Sequence, residues 1–127
     1  MARRDLTGAV DFEHLERYAA GDQQVVDEVL AIFREQAAMW LRLLDPAAAN
    51  GAWRDAAHTL KGSALGLGAH ALAEACAAAE QAADASLSER TLKLEKVRDA
   101  LDLALADIAA YVHEQALRSL RSPSARS

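Results

Sequence analysis

His58, Lys61 and Gly62 lie within the segment HTLKGSALGLG, and their types and spacing could support chemistry. An ordinary imidazole is mostly neutral at pH 7 and then has one nucleophilic nitrogen. Lys61 follows His58 by three residues, so on a helix the two side chains are neighbours. A phosphoryl group brings about −1.5 to −2 charges, which a nearby ammonium would stabilise. A histidine and a lysine at this spacing could therefore hold a phosphoryl group, if one were transferred to His58.

The glycines of this segment are unexpected in a helix, where each costs on the order of 1 kcal/mol relative to alanine. Gly62 follows His58 by one turn and is predicted to lie on the same face. Its missing side chain would let another molecule approach the imidazole closely. Gly66 and Gly68 are predicted to end the helix, one of them in the left-handed conformation that glycine adopts freely.

The helix that carries His58 has one apolar face. At roughly 100° per residue, its apolar residues fall on one side of a helical wheel. They are Trp53, Ala57, Leu60, Ala64 and Leu67. His58 lies roughly 140° from the middle of that face, so we expect its ring to point away from the core.

The rest of the chain has the pattern of amphipathic helices. Helices are predicted over 11–20, 22–44, from 51 or 52 to 65–67, over 69–83, and from the capping box Ser86/Glu89 to about 117. Asp11 and Asn50 are predicted N-caps, and Gly21 and Pro46 interrupt helices. The prediction is an all-α, antiparallel four-helix bundle with a short additional N-terminal helix. Residues 1–9 are assigned to an N-terminal extension, 10–117 to the bundle and 118–127 to a flexible tail.

Composition and charge exclude several classes of function. The net charge is −5, which argues against general nucleic-acid binding. No apolar run is long enough for a membrane span, so no membrane association is expected. The single cysteine, Cys76, falls on a core face and is consistent with a reducing cytoplasm.

The segment AAHTLKGSALGLGAHALAEACAAAE resembles the signature of histidine-containing phosphotransfer (HPt) domains of bacterial phosphorelays, roughly H-x-L-K-G-[SA]-[SA]-x-x-[LIV]-G. The matching residues are His58, Leu60, Lys61, Gly62, Ser63, Ala64, Leu67 and Gly68. The resemblance extends over roughly residues 10–112, which makes it more specific than an isolated H-x-x-K.

The resemblance implies a phosphocarrier rather than an enzyme with its own ATP-dependent kinase activity. His58 would accept a phosphoryl group, on the ring nitrogen farther from the backbone, from a phospho-aspartate of a receiver domain. It would then pass the group to an aspartate of another response regulator. Lys61 would support the phosphate, and Gly62 would give the receiver access. No cofactor is expected in this chain, and Mg²⁺ is expected in the partner receiver domain.

The partners implied are receiver domains of a hybrid histidine kinase and of a response regulator, and the chain is expected to be monomeric. Arg54, Ser63, Leu65 and Ala69 are the predicted docking residues. Some family members have a further polar residue near the histidine on the next helix. Glu80, Gln81 and Asp84 lie in that region, and the sequence assigns the role to none of them.

Three alternatives compete with this interpretation. The chain could be the dimerisation and phosphoacceptor module of a sensor kinase, although the acidic residue and proline typical after that histidine are missing. It could be a helical scaffold without chemistry, in which case replacing His58 would leave function unchanged. His70 and Glu74 lie one turn apart and could bind a metal weakly, but no third ligand has suitable spacing.

Overall fold

The computed structural model describes residues 6–121, which form five helices and no strand. The helices are α1 (Phe12–Tyr18), α2 (Gln23–Leu43), α3 (Asn50–Leu67), α4 (His70–Gln81) and α5 (Leu87–Arg121). Each of α2 to α5 packs against the next one, and α5 returns to α2, while α1 packs on α2 and α3. The predicted all-α bundle with a short N-terminal helix is confirmed.

Side-chain and backbone caps determine where these helices begin and end. Asp11 Oδ1 accepts a hydrogen bond from the His14 N–H at 3.0 Å, and Asp22 Oδ1 accepts one from the Gln24 N–H at 3.0 Å. Ser86 Oγ accepts from the Glu89 N–H at 3.2 Å, as the capping box predicts. These bonds satisfy backbone donors that have no partner inside the helix.

The predicted N-cap at Asn50 is wrong. Asn50 is the first residue of α3, and Ala49 precedes it without a side-chain cap. The Asn50 amide instead contacts the α4–α5 connection and α5, because its Nδ2 donates to Asp84 Oδ1 at 2.9 Å and its Oδ1 accepts from Arg90. A long-range partner has displaced the local role that asparagine has at many helix starts.

Gly68 ends α3 in the left-handed conformation, with φ of +85°. A Cβ here would also lie 3.1 Å from the Asp11 carbonyl oxygen, and the Asp11 N–H donates to the Gly68 carbonyl at 3.0 Å. Glycine is therefore required both for the turn and for the close approach of α1. Gly66 is not a terminator: it lies inside α3 and is exposed.

The core lies between the four long helices and is built from one face of each. The predicted apolar face of α3 is buried throughout, with Trp53, Ala57, Leu60 and Ala64 all fully buried. Facing helices contribute further large side chains to this interior. They include Val26 and Leu30 of α2, Leu72 of α4, and Val97, Leu101, Ile108 and Tyr111 of α5.

Arg90 is a buried cation that joins α5 to the chain on either side of α3 and α4. Its guanidinium donates to the carbonyls of Pro46, Ala48 and Ala83 and to Asn50 Oδ1. It also lies over the Trp53 ring, 5.3 Å from the ring centre. Arg90 thereby holds the start of α3 and the end of α4 together.

The structure shows how the described residues at both ends of the predicted bundle are arranged. Residues 6–9 are attached to the bundle, because the Thr7 N–H and hydroxyl donate to Asp107 Oδ1 at 2.8 and 3.0 Å and the Ala9 N–H donates to Asp107 Oδ2 at 2.9 Å. At the other end, 118–121 belongs to α5, because the helix continues to Arg121. Residues 1–5 and 122–127 of the predicted extension and tail lie outside the described residues.

We expect Asp107→Asn to lower the free energy of unfolding by about 2–3 kcal/mol, because an amide group would then face N–H donors at a buried position. Asp107 is 1% exposed. Urea denaturation followed by circular dichroism measures the change. Asp102→Asn, at an exposed position of the same helix, is the control and should change stability by no more than about 0.5 kcal/mol. Equal stability of the two variants would show that the N-terminal attachment is not structural.

Candidate functional site

His58 projects from the outer face of α3. Its side chain is 66% exposed, while the flanking core residues Ala57 and Leu60 are fully buried. The predicted outward orientation is confirmed. An imidazole in this position can be reached by another macromolecule without any opening of the bundle.

Glu80 of α4 joins His58 to Lys61. His58 Nδ1 lies 3.0 Å from Glu80 Oε2, and Lys61 Nζ donates to Glu80 Oε1 at 2.8 Å. The predicted pairing of the cation with the histidine therefore runs through one shared carboxylate. Of Glu80, Gln81 and Asp84, to which the sequence assigned no role, Glu80 is the one that contacts the ring.

The ionised state of Glu80 determines the proton arrangement on the ring. Hydrogen bonds from Lys61 and then His58 lower the pKa of the Glu80 carboxyl below its usual value, although partial burial opposes them. An ionised carboxylate only accepts hydrogen bonds, so Nδ1 of His58 must be the protonated nitrogen. When the ring is neutral, Nε2 then has the free lone pair. The site presents a nucleophilic nitrogen to the outside.

The position of Glu80 depends on how α3 and α4 pack. The Trp53 indole N–H of α3 donates to the Ala79 carbonyl of α4 at 2.6 Å, inside the core. This bond lies one residue before Glu80 in the chain and fixes the register of the two helices. Arg90 supports it by packing over Trp53 and by bonding the Ala83 carbonyl.

Arg54 lies one turn before His58 on α3. Its Nη2 is 3.5 Å from Asp84 Oδ1, and Asp84 also accepts from Asn50. Both charged side chains of this pair remain largely exposed, at 48% for Arg54 and 80% for Asp84. The predicted docking residue Arg54 is therefore at the surface beside the histidine, paired with a carboxylate of the α4–α5 connection.

Gly62 and Gly66 form a bare strip along α3. A Cβ added at either position would meet nothing within 4 Å, so neither glycine is required for packing inside the molecule. The strip forms one wall of an open groove, and residues of α1 and α2 form the rest. These residues are His14, Leu15 and Tyr18 of α1 and Val29, Ile32, Phe33 and Gln36 of α2.

The remaining predicted docking residues separate into two groups. Ser63 lines the same groove and is half-buried, and Leu65 is 51% exposed. Ala69 was predicted at this surface and is fully buried, so this prediction is wrong. The left-handed turn at Gly68 directs the chain inward at Ala69, whose N–H donates to the Ala64 carbonyl at 2.8 Å.

Residues of α1 and α2 also contribute to this surface, and none of them is among the docking residues predicted from the sequence. Tyr18 is 75% exposed and Ile32 is 52% exposed, although both are large and apolar. A second series in α2 beside the core stripe could have revealed this face. It consists of Val25, Val29, Ile32, Gln36, Met39 and Leu43, at alternating spacings of four and three residues.

Two other chemical readings receive no support from the geometry. Cys76 is fully buried, and burial raises the pKa of its thiol to about 12, so it stays protonated. Within residues 6–121, no three histidine, cysteine or acidic side chains are close enough together to hold a metal ion.

In the same part of the chain, no helix is both long and apolar enough to cross a membrane.

Comparison with known proteins bears on the chain as a whole. The family model described as "Hpt domain" matches residues 24–117. The crystal structure of the histidine phosphotransferase ShpA from Caulobacter crescentus is similar, with 58% sequence identity and a TM-score of 0.74, over 89% of this chain and 99% of that one. A putative histidine-containing phosphotransfer protein from rice has the same fold, at 22% identity and a TM-score of 0.66, over 85% of each chain. No match was found among curated protein sequences.

Proposed function

The chain belongs to the Hpt domain family, whose members are phosphotransfer intermediates, and we propose that His58 is its phosphoacceptor. His58 Nε2 takes a phosphoryl group from the phospho-aspartate of one receiver domain and passes it to an aspartate of another. The observation that carries the proposal is the exposed ring whose Nδ1 contacts an ionised carboxylate, which leaves Nε2 as the outward nucleophile.

In this mechanism the chain positions one atom and supplies one cation. Phosphoryl transfer requires alignment and charge neutralisation more than covalent assistance. His58 Nε2 attacks the phosphorus, an N–P bond forms, and the bond from phosphorus to the aspartate oxygen breaks. Lys61 is 28% exposed and bonded to the same carboxylate that contacts Nδ1, and in this proposal it stabilises the arriving charge. Mg²⁺ belongs to the receiver in this proposal, as a group of the partner.

The groove beside Gly62 is the surface on which we place the receiver domain. It combines exposed apolar side chains of α1 and α2 with the bare strip of α3, so a partner can contact backbone and exclude water close to the imidazole. Exposed Leu65 and Arg54 extend this surface around His58. Monomeric state and cytoplasmic location are parts of the same proposal, and size-exclusion chromatography with light scattering tests the first.

The direct test is incubation of the purified chain with a panel of ³²P-labelled receiver domains and kinases from the same cell. We expect label to move to this chain from at least one receiver and to be acid-labile and alkali-stable, as phosphohistidine is. Label should then move on to a second receiver. Absence of transfer from every receiver of the cell would refute the proposed function.

The docking surface makes its own prediction. We expect Ile32→Asp to weaken receiver binding about tenfold, because it places a charge in the centre of an apolar contact. Leu103→Asp is a matched control on α5, since Leu103 has the same 52% exposure and lies on another face. Titration by fluorescence anisotropy measures both. Equal weakening of binding by the two variants would contradict the placement of the receiver.

A further inference from the structure

We infer that Glu80 retains the proton on Nδ1 after His58 has been phosphorylated, and that it thereby promotes release of the phosphoryl group. The inference rests on the proposed function of His58. It assigns to Glu80 a positioning role in the second step, in which the phosphoryl group leaves His58. Glu80 acts through the imidazole ring and does not contact the phosphorus.

The bond changes define what the ring must do. When neutral His58 attacks through Nε2, the N–P bond forms and the aspartate leaves as a carboxylate. No proton moves, so the ring keeps its proton on Nδ1 and becomes formally cationic. On release the N–P bond breaks, its electron pair returns to Nε2, and the ring leaves as neutral imidazole with Nδ1 still protonated.

Loss of the Nδ1 proton would block this route. A phosphorylated ring without that proton can leave only as an imidazolate anion, which is a far poorer leaving group. Glu80 opposes the loss because its Oε2 lies 3.0 Å from Nδ1 and attracts the cationic ring more than the neutral one. A charge-assisted hydrogen bond of this kind is stronger than a neutral one.

The other charged groups near the ring do not replace Glu80. On α3, Lys61 and Arg54 are cations and disfavour a protonated ring, but Lys61 is bonded to Glu80 and Arg54 is paired with Asp84. Asp84 lies in the connection after α4, and its described partners are Arg54 and Asn50. Asp55, three residues before His58 on α3, is an exposed carboxylate, and the described contact of the ring is with Glu80. The groove beside Gly62 adds one titratable imidazole, that of His14, and otherwise uncharged side chains.

The experiment measures loss of the phosphoryl group from phospho-His58 as a function of pH, without any receiver. The chain is phosphorylated with phosphoramidate, excess reagent is removed, and the ³¹P signal is followed between pH 6 and 9. The signal of phospho-His58 is the one that is absent from a His58→Ala sample. Glu80→Gln is the test variant, because the amide oxygen can still accept from Nδ1 but has no charge.

For Glu80→Gln we expect the fall in rate with rising pH to begin about half a pH unit lower than in the wild type, so that release at pH 8 is about threefold slower. Asp84→Asn removes a nearby carboxylate of the α4–α5 connection, whose described partners are Arg54 and Asn50 and not the ring. It should shift the profile by less than a third as much.

An unchanged pH profile in Glu80→Gln would overturn the inference, and so would an equal shift in Asp84→Asn, which would indicate a general effect of charge. Both outcomes are independent of the proposed function. If phospho-His58 formed with phosphoramidate but no receiver exchanged phosphate with it, the relay role would fail while the role of Glu80 would stand.

Discussion

His58→Ala is expected to abolish acceptance of phosphate from a cognate receiver, with a fall of at least about 1000-fold, since no other group offers a nucleophile in the same position. The fold should persist because the ring is 66% exposed and its described contact is with Glu80. A change in unfolding free energy of at most about 0.5 kcal/mol is expected. Label transfer from a phosphorylated receiver measures the first quantity, and urea denaturation measures the second.

His113→Ala is the control for this experiment. His113 is exposed on α5, and we expect it to accept no label. The His113→Ala variant should therefore accept and transfer phosphate at the wild-type rate. The comparison also separates the relay from the scaffold alternative, which predicts normal function of His58→Ala in every assay. Transfer to His58→Ala at the wild-type rate would refute the assignment of the phosphoacceptor.

Gly62→Leu is expected to slow transfer about 100-fold while leaving the chain as stable or more stable. The new side chain points into open space, with nothing within 4 Å of its Cβ, so no internal clash arises. Replacement of a helical glycine by leucine should add roughly 0.5–1 kcal/mol of helix stability. The same side chain would stand one turn from His58, where it would hold a partner away from the imidazole.

The opposite signs of the two effects make this prediction specific. Thermal denaturation should show an unchanged or higher midpoint of unfolding. Phosphotransfer assays quenched at successive times should show the lower transfer rate. Ala109→Leu adds a comparable side chain at an exposed position of α5 and should leave transfer unchanged. Normal transfer by Gly62→Leu would mean that the bare strip has no role in partner access.

The local pattern was sufficient for the helices and for the orientation of His58. The apolar residues of α3 recur at spacings of three and four, which leaves one face of a helix polar whatever it packs against. Short-range signals also predicted the caps at Asp11 and Ser86 and the left-handed turn near Gly68. In each case the physical cause lies within a few residues of the chain.

The resemblance to the HPt signature could identify the residues of α3 but not their partner on α4. Three polar residues, Glu80, Gln81 and Asp84, lie within five positions of the sequence. Which of them reaches the ring depends on the rotation and register of α4 against α3. The buried bond from Trp53 to the Ala79 carbonyl sets that register, and no local pattern encodes it.

Burial at the edges of the site was likewise decided by the tertiary structure. Ala69 and Leu65 look equivalent as small or apolar residues near the histidine, yet Ala69 is buried after the turn at Gly68, while Leu65 is exposed on α3. Arg90 donates a hydrogen bond to Asn50 Oδ1, which lies forty positions earlier in the chain. No rule based on local spacing predicts such a contact. The sequence by itself determined which side chain faces outward to react, because helical periodicity is local. The tertiary structure decided which carboxylate holds that side chain and which groove lies beside it, because both depend on packing between helices that are distant in the chain.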